Sequence, residues 1–236
     1  MLTWLSLLAS LFQAQVAPAE PISPDPALLP SRPVVVELFT SQGCPMCPSA
    51  NQLLAEYGAQ SDVIALAWGV SYWDAYGWTD QYAQAEFVDR QKAYVDAGEA
   101  RRVYTPQFVI NGAPELLRFD RERIERAMTA AQPVPLAQIQ STDAEASLRL
   151  EGEARSVPAD VWSACYQPGI ETRMIESGRN AGMEMTHFNM VRQLTHLGEW
   201  MGGSLSMDLP DVPEGLACVV LVQDGPGGVI LSANRF

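Results

Sequence analysis

The sequence predicts an α/β domain followed by an antiparallel β-rich domain. Two apolar runs, Val34–Phe39 and Val63–Val70, flank a segment with helical periodicity, which is the pattern of a parallel strand–helix–strand unit. After residues 133–135 the helical periodicity stops, and short alternating runs separated by Gly, Pro and Asn follow. Such runs are typical of an antiparallel sandwich.

The whole chain is acidic and long enough for one large or two ordinary domains, at 236 residues. Its formal net charge of −13 argues against a nucleic-acid partner and against anionic membrane surfaces. Its four cysteines are too few for a disulfide scaffold. They are compatible with one redox pair and one structural pair.

The first nineteen residues have the character of a secretory signal. Leu2–Phe12 is apolar, and Ala17–Ala19 supplies a cleavage-type sequence, although the segment contains no Lys or Arg. The apolar run is shorter than the roughly 18 residues of a membrane span, so no stable span is expected. We therefore expect an exported protein, periplasmic or secreted. An uncleaved short anchor is the alternative.

Cys44 and Cys47 lie where the first strand is expected to give way to a helix. The helix is indicated by an apolar stripe at Ala50, Leu53, Leu54 and Tyr57, and Pro45 suits its first position. The N–H groups and dipole at a helix N-terminus lower a cysteine pKa from about 8.5. Cys44 is therefore the expected nucleophile, and Cys47 the thiol that resolves a mixed disulfide. The alternatives are a structural disulfide or half of a zinc site, which would need a second ligand pair.

An aromatic segment, Ser71–Trp78, follows the second strand directly. Open α/β sheets bind ligands at the carboxyl ends of their strands, so Trp73 and Trp78 are candidate substrate-binding residues beside Cys44. The alternative is a loop supported by its own rings.

The next elements are a helix over Asp80–Ala97 and a strand that opens near Pro106. Proline is tolerated at the first residue of a strand, and a cis bond there would be a specific feature. Asn111-Gly112 predicts a hairpin turn leading into Glu115–Phe119. A last helix is expected after Asp120, which can cap it.

This order of elements is that of the thioredoxin fold. In that fold a cis-proline lies beside the redox pair, and the resemblance places Pro106 there as a candidate catalytic-site residue. Thr105 precedes it and is a candidate substrate-binding residue, since the residues around Pro106 would hold the substrate chain. Four segments also resemble an uncharacterised family of secreted bacterial thioredoxin-like proteins: ELFTSQGCPMCPSANQLL, SYWDAYGWTD, VYTPQFVING and GRNAGMEMTHFNMVRQLTHLGEW. The resemblance implies a thioredoxin-like domain and export, but no activity. Members often carry two small residues between the cysteines, and Pro45-Met46 departs from that pattern.

Glu37 is the single charge in the first apolar strand. Thioredoxins have a buried acid on the equivalent strand, so the resemblance makes Glu37 a candidate proton acceptor for Cys47. A desolvated acid there would have a raised pKa and could move protons. The alternative is a carboxylate at the sheet margin, in water.

Two further sets of residues lie in the β-rich half. Cys165 and Cys218 both fall in predicted strands, and an exported protein tends to oxidise such a pair, so we expect a structural disulfide. It requires Cα atoms closer than about 7 Å. Cu(I) could be bound by Cys44, Met46 and Cys47. The second set in the β-rich half also offers ligands that suit Cu(I), but packing is the preferred explanation for it: Met183, Met185, His187 and Met190.

The sequence thus predicts four segments: a signal peptide at 1–19, an extended lead-in at 20–32, a thioredoxin-like domain at 33–132 and a β-sandwich-like domain at 133–236. The leading hypothesis is an exported thiol–disulfide oxidoreductase without cofactor or metal. Its partners would be protein or small-molecule thiols and disulfides, and a redox partner protein. The alternatives are a copper-binding module and a non-catalytic interaction protein on a thioredoxin scaffold.

Overall fold

The computed structural model describes residues 32–98, 102–114, 119–135, 137–141 and 146–236. The first half forms β1 (Val34–Thr40), α1 (Cys47–Gly58), β2 (Val63–Gly69), α2 (Ala85–Ala97), β3 (Gln107–Ile110), β4 (Ala113–Pro114) and α3 (Arg121–Ala130). The second half forms β5 (Gln138–Ser141), β6 (Ala146–Leu150), β7 (Ala159–Met174), β8 (Glu184–Trp200), β9 (Leu205–Asp208), β10 (Ala217–Gln223) and β11 (Ile230–Arg235).

Three predicted features fall wholly or largely outside the described residues. They are the signal segment 1–19, nearly all of the lead-in 20–32, and most of the strand expected at Glu115–Phe119. Within the part of the chain that the structure describes, no helix is long and apolar enough to cross a membrane.

Eight strands form one mixed sheet in the order β11-β10-β7-β8-β2-β1-β3-β4. β1 and β2 are parallel and are connected through α1, and β3 pairs with β1 in the antiparallel direction. β8 joins the free side of β2 in the parallel direction, with Met190 opposite Ala67. β5, β6 and β9 form a separate small sheet.

The antiparallel half continues the sheet of the first half. The sequence predicts a domain boundary near residue 133, whereas the described residues form one compact unit. The physical reason is the outer edge of β2, whose backbone groups would otherwise lack strand partners. β8 supplies them and carries β7, β10 and β11 into the same sheet.

Both faces of the sheet are covered, which explains why every residue of β1 and β2 is buried. Alternate residues of β1 point to opposite sides: Val36 and Leu38 pack with α1, and Val35 and Phe39 pack with α2. The small sheet packs on β7 and β10, on the face that points away from α2.

β7 and β8 form a hairpin much longer than predicted, with strands of 16 and 17 residues. Pro168 and Gly169 do not end the strand, because they lie in a bulge between Gln167 and Ile170. Gly169 adopts a φ of +86° there, which glycine tolerates without strain. The long hairpin carries its end, residues 175–183, to the turn before Cys44, as described below.

A disulfide joins Cys165 and Cys218, which lie directly opposite each other on β7 and β10. Their Cα atoms are 4.0 Å apart. Both residues are buried in the sheet. The bridge therefore joins two neighbouring strands, β7 and β10, near one end of the sheet order.

Removal of this bridge is expected to lower the free energy of unfolding by about 4 kcal/mol, because it closes a long loop in the unfolded chain. The two cysteines are 53 residues apart in sequence. Urea unfolding of Cys165→Ala/Cys218→Ala measures the loss. Cys44→Ala/Cys47→Ala is the matched control, since it removes two thiols and leaves the bridge. Equal stability of the two double variants would contradict the expectation.

Candidate functional site

Cys44 and Cys47 lie where the chain leaves β1 and enters α1. The helix begins at Cys47, and Pro48 occupies its first turn, so Pro45 lies in the preceding turn rather than at the first helical position. The Cys47 N–H donates to the carbonyl oxygen of Cys44 at 3.2 Å and closes this turn. Both thiols are free, at the positive end of the helix dipole.

The two thiols have opposite pKa shifts. The pKa of Cys44 is lowered to about 7, chiefly because the Cys47 thiol donates a hydrogen bond to it; burial opposes this, and the Thr105 hydroxyl and backbone N–H groups assist. The pKa of Cys47 is raised well above its usual value by burial and by the adjacent Cys44. At neutral pH a large fraction of Cys44 is therefore thiolate, while Cys47 keeps its proton.

Thr105 and Pro106 lie at this pair, and the peptide bond between them is cis. Trp73 Nε1 donates to Thr105 Oγ1 at 2.6 Å, which leaves the hydroxyl hydrogen for the Cys44 thiolate. Gly43 permits the close approach of this tryptophan, because a Cβ at residue 43 would lie 2.9 Å from the Trp73 Cβ.

Thr105→Val is expected to raise the pKa of Cys44 by roughly one unit. A hydrogen bond to a charged group contributes about 1.5–3 kcal/mol, and one pKa unit corresponds to about 1.4 kcal/mol. The pH dependence of Cys44 alkylation measures the change. Thr129→Val is a control, because that hydroxyl bonds within α3. An unchanged Cys44 pKa in Thr105→Val would show that the hydroxyl does not stabilise the thiolate.

Apolar side chains from distant segments enclose the two sulfurs. Ile175 and Met185 are fully buried against them, and Trp73 and Trp78 pack on the same cluster. As a result, only 1% of Cys44 is exposed. The sequence places the two tryptophans beside Cys44, but it does not place Ile175 or Met185 there. One sequence feature points to Met185: it lies in the segment after residue 177 that resembles the same family as the segment around Cys44 and Cys47.

Buried hydrogen bonds fix the turn that precedes Cys44. The Gln42 N–H donates to Asp80 Oδ2 at 2.7 Å, and Trp78 Nε1 donates to Gln42 Oε1 at 2.8 Å. Burial raises the pKa of Asp80, and the N–H donors oppose that shift. The Asp80 carboxylate therefore stabilises the turn by accepting a hydrogen bond from the backbone N–H of Gln42.

Two polar side chains lie beside Cys47 in the core. Asn51 Nδ2 donates to Thr40 Oγ1 at 3.1 Å, and the Thr40 side chain hydrogen-bonds with Cys47. This bond lowers the pKa of Cys47 and so partly offsets burial. Thr40 and Asn51 are therefore polar neighbours of the Cys47 thiol.

Glu37 does not lie with Cys47. It alternates with Leu38 along β1 and points toward α2, whereas α1 lies over the other face. Its carboxylate is fully buried and accepts hydrogen bonds from Arg90 Nε at 2.7 Å and from the Tyr94 hydroxyl. This corrects the expected position of Glu37 next to Cys47, and also the alternative of a carboxylate in water.

The methionine-rich stretch does not gather its side chains at one point. Met185 lies at the cysteines, Met190 packs in the core under α1, and Met183 is 40% exposed. His187 packs edge-on against Tyr82, with ring centroids 5.0 Å apart, and burial lowers its pKa to about 4. Among the described residues, no three His, Cys, Asp or Glu side chains are grouped to hold a metal.

Comparisons with known proteins place the chain in a family. A crystal structure of a protein from Agrobacterium tumefaciens, a target of the Northeast Structural Genomics Consortium, is 28% identical with a TM-score of 0.67. The match covers 87% of this chain and 94% of that one. No curated protein matches the chain. The model of a family described as a protein of unknown function, DUF1223, matches residues 35–223, which include all four cysteines. The chain therefore belongs to the DUF1223 family.

Proposed function

We propose that this protein is an exported thiol–disulfide oxidoreductase with a thioredoxin-like N-terminal half. The observation that carries the proposal is the pair of free thiols with opposite pKa shifts, Cys44 lowered to about 7 and Cys47 raised. The lowered pKa makes Cys44 a nucleophile near neutral pH. The raised pKa keeps a proton on Cys47, which hydrogen-bonds to Cys44 until Cys47 is deprotonated and resolves the mixed disulfide.

The arrangement around the pair supports the thioredoxin-like assignment. The strand–helix–strand unit β1–α1–β2 is followed by α2, the hairpin β3–β4 and α3, in the order that fold requires. The cis peptide bond Thr105–Pro106 lies beside Cys44, as the sequence resemblance implies. The disulfide between Cys165 and Cys218 accords with an oxidising compartment and hence with export.

In the proposed reaction, the Cys44 thiolate attacks one sulfur of a substrate disulfide and the other substrate sulfur leaves as a thiolate. That thiolate takes the proton of Cys47. The Cys47 thiolate then attacks the Cys44 sulfur, releases the second substrate sulfur as a thiolate and leaves a Cys44–Cys47 disulfide. Two electrons pass to the substrate. A dithiol partner restores the pair by the same exchange in reverse, and the reversed steps oxidise a substrate dithiol.

Titration in glutathione buffers of graded potential, followed by acid quench and alkylation, tests the proposal. We expect a reversible two-electron couple of Cys44 and Cys47, while Cys165 and Cys218 stay joined. The same couple is expected in Cys165→Ala/Cys218→Ala, which isolates it. A Cys44–Cys47 pair that never exchanges with glutathione would refute the proposal.

Cu(I) binding is a second candidate function, because Met185 brings a third soft sulfur side chain to Cys44 and Cys47 in one enclosed cluster. Transfer of Cu(I) from a chelator to the reduced protein tests it. Met185→Leu, which preserves the side-chain volume, should then weaken binding without affecting exchange with glutathione. Equal Cu(I) affinity in wild type and Met185→Leu would exclude the thioether as a ligand.

A further inference from the structure

We infer that the end of the β7–β8 hairpin, residues 175–183, is a lid over Cys44 that has to move before a disulfide substrate can reach the thiolate. We call this segment the lid. The inference rests on the proposed function, since it concerns the regulation of access to the same site.

The burial of the nucleophile requires such a movement. Attack on a disulfide brings two sulfur atoms into contact, yet 1% of Cys44 and none of Cys47 is exposed. Part of the enclosure must therefore open during each exchange. Trp73 and Trp78 are held in place by hydrogen bonds to Thr105 and to the turn before Cys44. The other apolar side chains of the enclosure, Ile175 and Met185, come from the hairpin.

Asn180 fastens the lid to the redox pair. Its side-chain nitrogen Nδ2 donates to the carbonyl oxygens of Gln42 at 2.8 Å and of Cys44 at 2.9 Å. Asn180 is 4% exposed, so both hydrogen bonds are shielded from water. These bonds join a hairpin end to the backbone of the reactive cysteine itself, and they lie outside the sheet.

Two exposed side chains hold the lid against the aromatic segment. Ser177 Oγ donates to the carbonyl oxygen of Gly77 at 2.7 Å. The Arg179 guanidinium lies over the Tyr76 ring, 4.4 Å from its centroid, and over the Trp73 ring at 5.7 Å. Cation–π contacts at exposed sites are weak, so they can break and re-form readily.

Hydrogen bonds within the lid hold its two ends together, so we expect the lid to move as one unit. The Ile175 N–H donates to the Met183 carbonyl at 2.9 Å, and the Gly182 N–H donates to the Ile175 carbonyl at 2.7 Å, so the loop is closed on itself. Gly178 and Gly182 flank Asn180 with φ angles of +75° and +80°, which a side chain would disfavour.

Ile175 is the part of the lid that fills the site. It is fully buried and packs on Cys44, Cys47 and Met185. When the lid opens, it leaves an apolar space beside the thiolate. An apolar side chain next to the substrate cysteine can occupy that space, so substrates with such a neighbour are favoured.

Alkylation of Cys44 in the reduced full-length protein tests the lid, with iodoacetamide as the small reagent and a polyethylene glycol maleimide as the bulky one. Asn180→Ala is expected to raise the rate with the bulky reagent about tenfold, since it removes two buried hydrogen bonds. The pKa of Cys44, taken from the pH profile of the iodoacetamide reaction, should change little. Met174→Ala is the matched control, because Met174 lies on the same hairpin and is 55% exposed.

A second variant tests the lid independently, in case Asn180→Ala does not fold. Ser177→Ala/Arg179→Ala removes exposed contacts and should also raise the rate with the bulky reagent. Equal rates in wild type and both variants, or an equal increase in Met174→Ala, would overturn the lid. These rates do not depend on redox cycling. If the variants raise the alkylation rate but Cys44 and Cys47 show no reversible couple with glutathione, the proposed function is refuted and the lid is still supported.

Discussion

Cys44→Ser is expected to reduce thiol–disulfide exchange to the uncatalysed background, whereas Cys47→Ser is expected to perform the first step and then stop. In the first variant a hydroxyl replaces the thiolate, whose pKa of about 7 makes it the nucleophile. In the second, the mixed disulfide with Cys44 has no resolving thiol. Reduction of a fluorescent peptide disulfide measures exchange, and mass spectrometry detects the trapped adduct.

A comparison of Cys47→Ser with Cys47→Ala separates two roles of Cys47. Its thiol makes the largest contribution to the low pKa of Cys44, by donating a hydrogen bond. A serine hydroxyl can still donate, so the pKa of Cys44 should stay low in Cys47→Ser and rise in Cys47→Ala. Both variants should trap adducts, and the alanine variant should do so more slowly at neutral pH.

The pH dependence of the first step has a definite direction. The Cys44 pKa is lowered to about 7, so the rate should rise as the pH approaches 7 and level off above it. Equal alkylation of Cys44 and Cys47 below pH 7, together with no exchange against the peptide disulfide, would instead favour a structural role for the pair.

The position of the two cysteines is predictable from sequence, because it depends only on patterns in the residues next to them. An apolar run, a turn and a helical stripe place Cys44 and Cys47 at the start of α1, and the structure has that helix from Cys47 onward. The lid is different. Asn180 contacts the carbonyl of Cys44 across 136 residues, and nothing in the spacing of a hairpin end specifies which turn it reaches.

The face to which Glu37 points follows from strand alternation alone. Strand residues alternate between faces, and α1 covers the face to which Val36 and Leu38 point. The side chain between them has to face the other layer, away from Cys47. Glu37 is stabilised there by Arg90 on α2. The position of Arg90 depends on how α2 crosses the sheet, which the local sequence does not specify.

The continuation of the sheet from the first half into the second is also not predictable from local sequence patterns. Most strands of the second half, though not β5, can be recognised as short runs in the sequence, but such a run does not specify its neighbours in the sheet. β8 pairs with β2 at Met190 and Ala67, and this contact decides between a second domain and one extended sheet.

Loss of one partner from the buried ion pair between Glu37 and Arg90 is expected to destabilise the interface between β1 and α2 strongly. The atoms of the pair lie 2.7 Å apart, and side-chain exposure is 5% for Arg90 and zero for Glu37. Burial acts to lower the pKa of Arg90, but the Glu37 carboxylate raises it, so the guanidinium stays charged. Arg90 also donates to the Tyr94 hydroxyl at 2.9 Å and to Gln223 Oε1 at 3.2 Å.

Arg90→Met should lower the free energy of unfolding by about 3–5 kcal/mol, because it leaves the Glu37 carboxylate buried without a counter-charge. The double variant Glu37→Leu/Arg90→Met should recover much of that loss, since apolar side chains can replace a buried ion pair at little net cost. Urea unfolding of the wild type, both single variants and the double variant gives the coupling between the two residues. The pKa of Cys44 should be the same in all four proteins, because α1 and the cysteines lie over the opposite face of the sheet from Arg90. If Arg90→Met lost less than about 1 kcal/mol, the carboxylate would have to be reaching water or another donor, and the ion pair would not be what holds α2 against β1.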